Sequence, residues 1–320
     1  MMEYRQLGQT SLQVSRLCLG TMQLGWTADE PTSFRILSLA FDAGINFMDT
    51  ADIYSRWVPG HQGGEAETII GRWWRQSGIP RDRLILATKV RGQMGEGPLD
   101  QGLSRGYILK AAEASLRRLQ TDYIDLYQTH WPDPNVPIEE TLRAFEDLIR
   151  QGKVRYIGCS NYKAEALRDA LETSRKHHLP RFESLQPHYN LVHRREFEGE
   201  LAQVCQEYHL GVIPYSPLAG GFLSGKYRPG LHVSSARAEG VRKYFTEENW
   251  RLLEEMDKMA EEKEASLSQI ALAWLLHQPL VTSPIIGPRT PEQLYDNLAS
   301  LSVSLTPQEL ERLNTLTAHA

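Results

Sequence analysis

A closed (β/α)₈ barrel is the fold this sequence predicts, and three observations point to it. Short apolar strand-like runs alternate with longer amphipathic runs from Leu17 almost to the end of the chain. Eight such β-then-α units pass without a break in composition, which calls for a parallel sheet with crossover helices. A chain of 320 residues also has the length that an eight-unit barrel closes with. No G-x-G-x-x-G follows an early strand, which weighs against a dinucleotide-binding open sheet.

The elements read in order as follows. Residues before Leu17, with Tyr4-Arg5 and Val14 flanking a turn at Gln9-Thr10, suit a small hairpin that plugs the barrel bottom. Leu17–Leu19 is the first strand. Phe34 to Phe41 is helical and stops at Gly44, a residue suited to a helix end. Phe47-Met48 is the second strand, followed by a helix carrying Ala66, Ile69, Ile70, Trp73 and Trp74. The third strand is Leu84–Ala87, ending at Thr88-Lys89; its helix starts at Ser104 and buries Leu109, Ala112, Leu116 and Leu119. Tyr123–Thr129 and Ile138–Ile149 form the fourth unit, Val154–Gly158 and Ala164–Leu179 the fifth. Ser184–Gln186 and the Phe197 to Cys205 stretch form the sixth, and Gly211–Tyr215 is the seventh strand. A long polar insertion, roughly Ser216 to Asn249, precedes a helix at Ser268–Gln278. Val281–Ile286 and Pro291–Leu301 complete the eighth unit. An extra C-terminal helix begins at Thr306, with Glu309 three residues on as a capping box and Pro307 in the first turn. Residues 1–320 are expected to form one domain.

Composition limits the function classes. Net charge is −5 with no basic block, so nucleic acid and anionic membrane surfaces are poor partners. Cys18, Cys159 and Cys205 are odd in number and widely spaced, which fits a reducing, cytoplasmic setting and gives no metal-ligand pattern. The N-terminus lacks the apolar core of a signal peptide.

Barrel chemistry sits at the C-terminal ends of the strands. Those ends carry Asp49 after strand two, Lys89 after strand three and His130 after strand four, with Tyr54 in the loop after Asp49. Each has a plain structural reading: a helix cap or Asx-turn for Asp49, a loop aromatic for Tyr54, an ordinary ion pair for Lys89, a pocket histidine for His130. Converging, they suit a general acid. A free tyrosine titrates near pH ~10, and a neighbouring ammonium, itself held by a carboxylate, is expected to lower that value. No nucleophile with a partnered base is visible, which fits a hydride-delivering cofactor. Ser160, Asn161 and Gln186 offer amide and hydroxyl groups, and Tyr215 a flat face. Lys226, Arg237 and Arg289, with a helix start at Thr290-Pro291, occupy the usual phosphate region of such barrels.

Asp49-Thr50-Ala51-Asp52-Ile53-Tyr54, Ala87-Thr88-Lys89, Asp122 to His130, Gly152 to Asn161, Gln186 to Asn190, Tyr215-Ser216-Pro217-Leu218 and Gly287 to Asn297, in that order, carry a further reading. Over essentially its whole length the chain resembles the aldo-keto reductase family, as a short-tailed member of bacterial type. The resemblance implies that Tyr54 donates the proton, that Lys89 and Asp49 tune it and that His130 orients the carbonyl. It also implies that Ser160, Asn161 and Gln186 hold a nicotinamide amide and that Tyr215 stacks on the ring. Gly20, Thr21, Met22 and Asp49 belong to the same cofactor-side set. Ser216, Pro217, Leu218, Gly220 and Lys226 would line the pyrophosphate, Gly287, Arg289, Gln293 and Asn297 would meet the adenosine end, and Arg237 belongs to the same cofactor-binding set. Some relatives have Lys and Ser where this chain has Gly287 and Pro288, and Arg in place of Gln293. NADPH is therefore expected to rest mainly on Arg289, with NADH possible, and Gln293 reads equally as part of a helix cap. The substrate side is expected at Trp26, Tyr54, Trp57, His130 and Trp131, with Met22, Arg56 and Arg91 on the same loops. With little tail after the last helix, an open site for varied aldehydes and activated ketones is expected, on a monomer or weak homo-oligomer. Two rivals stand beside this reading. One is a non-catalytic cofactor-binding regulatory subunit, like the channel-associated members of the family, against which the lack of an N-terminal extension weighs. The other is a Schiff-base aldolase built on Lys89.

Overall fold

The computed structural model describes residues 2–320. A two-stranded antiparallel hairpin, β1 (Tyr4–Gln6) and β2 (Gln13–Ser15), comes first. Eight parallel strands follow: β3 (Cys18–Gly20), β4 (Phe47–Asp49), β5 (Ile85–Val90), β6 (Ile124–Thr129), β7 (Val154–Ser160), β8 (Phe182–Gln186), β9 (Gly211–Val212) and β10 (Ile285–Ile286). They pair in the order β10-β3-β4-β5-β6-β7-β8-β9. The two ends meet. Val212 bridges Val281, its carbonyl accepts from the Thr282 N–H at 2.8 Å, and the Pro214 carbonyl accepts from Ile285 N–H at 2.9 Å. The sheet is thus the expected (β/α)₈ barrel.

Helices α1 (Glu30–Asp42), α2 (Glu65–Ser77), α3 (Arg105–Leu119), α4 (Ile138–Arg150), α5 (Ala164–His177) and α6 (Glu200–Glu207) each follow a barrel strand. Their starts and stops are chemically marked. Asp29 and Ser104 accept backbone N–H bonds at the N-caps of α1 and α3, and Gly78 ends α2 in the left-handed region at φ 67°. Beyond β9 come a short α7 (Ala238–Val241), then α8 (Glu247–Glu262), α9 (Leu267–Leu276), α10 (Pro291–Ala299) and α11 (Pro307–Leu316). Both halves of the capping box at Thr306 and Glu309 form.

Three differences from the sequence reading have physical causes. β9 and β10 are two residues each, shorter than expected, because Pro214 and Pro284 lack the N–H that would extend their ladders. β5 and β7 run longer, so Lys89 and Ser160 lie inside strands. Helix α8 was not anticipated. It begins in the last residues of the supposed insertion, capped by Thr246, fills most of the unassigned stretch before the next helix, and buries Leu252, Leu253, Met256, Met259 and Ala260 at helical spacing.

The hairpin closes the barrel floor. Leu7, Leu12 and Val14 pack with the inward residues Cys18, Phe47, Ile85, Ala87, Leu126, Ile213 and Ile285. The approach is close: a Cβ on Gly8 would lie 2.2 Å from the Glu183 carbonyl oxygen, and one on Gly211 2.4 Å from Leu7 Cδ1. No helix among the described residues is long and apolar enough to cross a membrane. Because Leu7 is fully buried, Leu7→Ala should cost about 2–5 kcal/mol in urea unfolding. A loss under ~0.5 kcal/mol would show that the hairpin is not part of the core.

Candidate active site

The strands deliver their last inward side chains to one end of the barrel. Asp49 is the final residue of β4, and Lys89 the fifth of β5; both are buried. Lys89 Nζ donates to Asp49 Oδ2 at 2.5 Å, to the Thr50 carbonyl at 2.9 Å and to the Tyr54 hydroxyl oxygen at 3.0 Å. All three donor directions of the ammonium are therefore engaged. Burial works against its charge, but Asp49 and then Tyr54 outweigh it and hold Lys89 protonated above its ordinary value. For Tyr54 the balance runs the other way. Burial raises the phenol above its ordinary value, and the Lys89 charge recovers only part of that rise. The expected net lowering is corrected here: desolvation wins.

Asp49 is held from its other side. Gln128 Nε2 and Gln186 Nε2 both donate to its Oδ1, at 3.0 and 2.8 Å. Gln128 was not singled out by sequence. The signal was available, since it lies two residues before His130, which directly follows β6, and so shares its face. His130 packs flat on Trp131, ring centroids 3.8 Å apart, and meets Tyr54 edge-on at 5.9 Å. Burial, then Lys89 and Arg91, push its pKa well below the usual histidine value. Its Nδ1 is buried with no hydrogen-bond partner among the described residues.

Above this group opens a cleft of about 640 Å³. Asp49, Tyr54, His130 and Trp131 line it, whereas Lys89 lies beneath, entirely covered. Every residue placed on the cofactor side by sequence, from Gly20-Thr21-Met22 to Gly287, Arg289, Gln293 and Asn297, lines the same cleft. Gly20 has no room for a side chain, because a Cβ would stand 2.6 Å from Ile285 Cγ2. The Tyr215 hydroxyl donates to Asn161 Oδ1 at 2.9 Å, and the Asn161 amide donates to the His130 carbonyl at 2.9 Å. One face of the Tyr215 ring is stacked on His188, 5.0 Å between centroids. Gln293 splits its two readings. Its N–H is bound by the Thr290 hydroxyl at 3.3 Å, but its side-chain oxygen accepts from Arg289 N–H at 2.8 Å, so no reciprocal capping box forms. Sequence reasoning also passed over Gln23, Ser235, Ser266 and Asp296 in the lining.

Trp26 and Trp57 do not line the cleft. They meet edge-to-face at 5.4 Å beside Tyr54, with the Arg237 guanidinium 5.5 Å over the Trp26 ring. Asp52 lies below: both its oxygens are buried without partners among the described residues, and burial, then Glu67, push its pKa well up. The same Glu67 accepts from Thr88 and Arg118 at 2.6 and 2.7 Å.

An acid-ammonium-phenol chain beneath a long cleft, on a (β/α)₈ barrel, invites comparison with known proteins. The profile of the aldo/keto reductase family matches residues 16–318. The chain belongs to the aldo/keto reductase family. It is 42% identical to an uncharacterized oxidoreductase, YrpG, of Bacillus subtilis, over 98% of this chain and 96% of that protein. It is 35% identical to the aldo-keto reductase AMT2 of Alternaria alternata, over 97% and 90%. It is also 35% identical to a putative voltage-gated potassium channel subunit beta of Schizosaccharomyces pombe, over 98% and 92%. As a member of the aldo/keto reductase family the protein is an oxidoreductase, of a family that binds nicotinamide cofactors.

The state of His130 has a consequence for acid stability. A free histidine titrates near pH ~6.5, and the folded value lies well below that. Under pH 6.5 the unfolded chain therefore takes up a proton that the folded ring refuses, and stability falls with pH until the folded value is reached. The slope from this one ring is up to ~1.4 kcal/mol per pH unit. Urea unfolding at pH 7, 6 and 5 should show His130→Gln losing less stability per unit than the parent. Parallel curves would contradict the buried neutral imidazole.

Proposed function

We propose that the protein, acting as one barrel domain, reduces aldehydes and activated ketones to alcohols with NADPH, using Tyr54 as the general acid. The observation that carries this reading is the single ammonium of Lys89 joining Asp49 to the Tyr54 hydroxyl at the cleft floor. Lys89 stabilises the phenolate that remains once Tyr54 has given up its proton, and Asp49 with its two glutamine donors fixes the ammonium in place. The neutral His130 ring fits the Nε2–H tautomer, because an orphaned buried lone pair on Nδ1 costs less than an orphaned N–H. Nε2 would then donate to the carbonyl oxygen and present it to Tyr54.

The cleft fits a nicotinamide dinucleotide. Gln186 spends its N–H on Asp49, leaving its carbonyl oxygen to receive a carboxamide. Tyr215, backed by His188, presents its remaining face. At the other end Lys226, Arg237 and Arg289 reach no carboxylate among the described residues, so phosphate charge has three cations to meet. Arg289, whose N–H is tied down by Gln293, is the residue we assign to a 2′-phosphate and hence to NADPH preference. The bound cofactor supplies hydride to the carbonyl carbon.

The Schizosaccharomyces pombe relative, named as a putative potassium channel subunit, keeps a second reading in view, that of a cofactor-binding regulatory subunit. One comparison separates the two. Tyr54→Phe should lower kcat/KM for 4-nitrobenzaldehyde by about 10²–10⁴-fold, while NADPH still quenches tryptophan fluorescence at parent concentrations. Near-parent turnover in the variant would remove Tyr54 as the acid. Absence of turnover by the parent protein would favour the regulatory reading.

A further inference from the structure

With Lys226, Arg237 and Arg289 set toward phosphate, two arginines on the loops after β4 and β5, Arg56 and Arg91, are in no ion pair among the described residues. The pattern is specific when all arginines are compared. Half are in ion pairs, for example Arg81 and Arg155 on Asp125 and Arg118 on Glu67. Among those without one, Arg16 is buried against the carbonyls of Val281, Thr282 and Leu276. Arg56, Arg91, Arg237 and Arg289 are half-buried, and every other one is exposed. Arg237 and Arg289 line the cleft, whereas Arg56 and Arg91 lie just outside its lining, Arg56 two residues after Tyr54 and Arg91 beside Trp131. Partial burial of an uncompensated charge is unfavourable, and such groups mark places where an anion arrives.

Arg91 is the more telling of the two. Its backbone sits at φ +124°, a conformation that residues with a Cβ rarely adopt. It directly follows β5, two residues after Lys89. The Nε donates to the Pro132 carbonyl at 3.1 Å, and the guanidinium lies 6.0 Å from the Trp131 ring centroid. Trp131 in turn lies flat on His130. Both Nη groups of Arg91 lack a hydrogen-bond partner among the described residues. That leaves a planar pair of donors suited to two oxygens of one anion. Arg56, two residues after Tyr54, donates through Nη1 to the Gln93 carbonyl and so ties its loop to the Arg91 loop.

We infer that Arg91, supported by Arg56, anchors an anionic group on the carbonyl substrate, so that the preferred substrates are aldehydes or ketones bearing a carboxylate or phosphate. Trp131 supplies an apolar wall for the body between the two polar ends. This inference rests on the carbonyl-reductase reading and deepens it.

Steady-state kinetics with 4-carboxybenzaldehyde, 4-formylphenyl phosphate and 4-methylbenzaldehyde test it on the full chain. The parent protein should favour an anionic aldehyde, and the better of the two identifies the group. Arg91→Met should lose about 10- to 100-fold in kcat/KM on that substrate, mainly through KM. On 4-methylbenzaldehyde its loss should stay within about threefold, and Arg91→Lys should recover part of the difference. Equal losses on charged and neutral aldehydes, or no loss on either, would overturn the inference. Calorimetric titration of the NADPH-loaded protein with terephthalate and with phenyl phosphate reads the anchor without turnover. Weaker binding of one anion to Arg91→Met supports the inference, and equal binding of both to parent and variant overturns it. If the parent reduces none of the aldehydes, the carbonyl-reductase reading fails by itself, and the titration still decides the arginine.

Discussion

The buried pair of Lys89 and Asp49 is the constraint around which the upper barrel is built. Two charges taken from water must be matched on every side, or the site collapses to neutral forms. Here the ammonium meets a carboxylate, a main-chain carbonyl and a phenol, while the carboxylate meets the ammonium and two glutamine amides. These partners come from β4, β5, β6 and β8 and the loop after β4, so the pair draws together half of the barrel. Removing one charge alone from such a pair leaves the other unmatched, at a cost of about 3–5 kcal/mol. The same arrangement leaves a single outlet for the ammonium's influence, the Tyr54 hydroxyl.

Rigidity around that outlet comes from both ends of the barrel. Below, the hairpin fills the floor with Leu7, Leu12 and Val14, which fixes the strand ends that carry the charges. Above, several loop residues are in the left-handed region although they carry side chains: Ser55, Arg91, Asn161, Ser216 and Ala219. Each costs on the order of 1–3 kcal/mol, and they cluster where the cleft is formed. Asn161 shows the return on that cost, since its side chain links the His130 carbonyl to the Tyr215 hydroxyl across three strands.

Much of this was legible in the sequence because barrel geometry turns strand ends into neighbours. Asp49, Lys89 and His130 converge from three separate units, and the cofactor-side residues from Gly20 to Asn297 share one cleft. What escaped depended on quantities that pattern does not carry. The two-residue spacing of Gln128 from His130 puts it on the site's face, but its meeting with Gln186 on one Asp49 oxygen follows only from barrel closure. The pKa of Tyr54 turns on how much water is excluded, and burial outweighs the ammonium. Trp26 and Trp57 pair with each other beside the cleft, a choice between two aromatic neighbours that composition leaves open. Helix α8 carried a clear apolar stripe, but the polar stretch before it obscured its start at Thr246.

Under the proposed function, the buried charges serve proton delivery through Tyr54 and are not merely scaffold. The double variant Asp49→Asn with Lys89→Met removes both charges together and leaves neither unmatched, so folding can be checked by its melting temperature. Quinones such as 9,10-phenanthrenequinone accept hydride to give a stabilised oxyanion, and they need no acid in the same step. Single-turnover NADPH oxidation should therefore fall by about 10²–10⁴-fold with 4-nitrobenzaldehyde and stay within roughly tenfold with the quinone. Equal losses on the two acceptors, or unimpaired aldehyde reduction, would contradict the account.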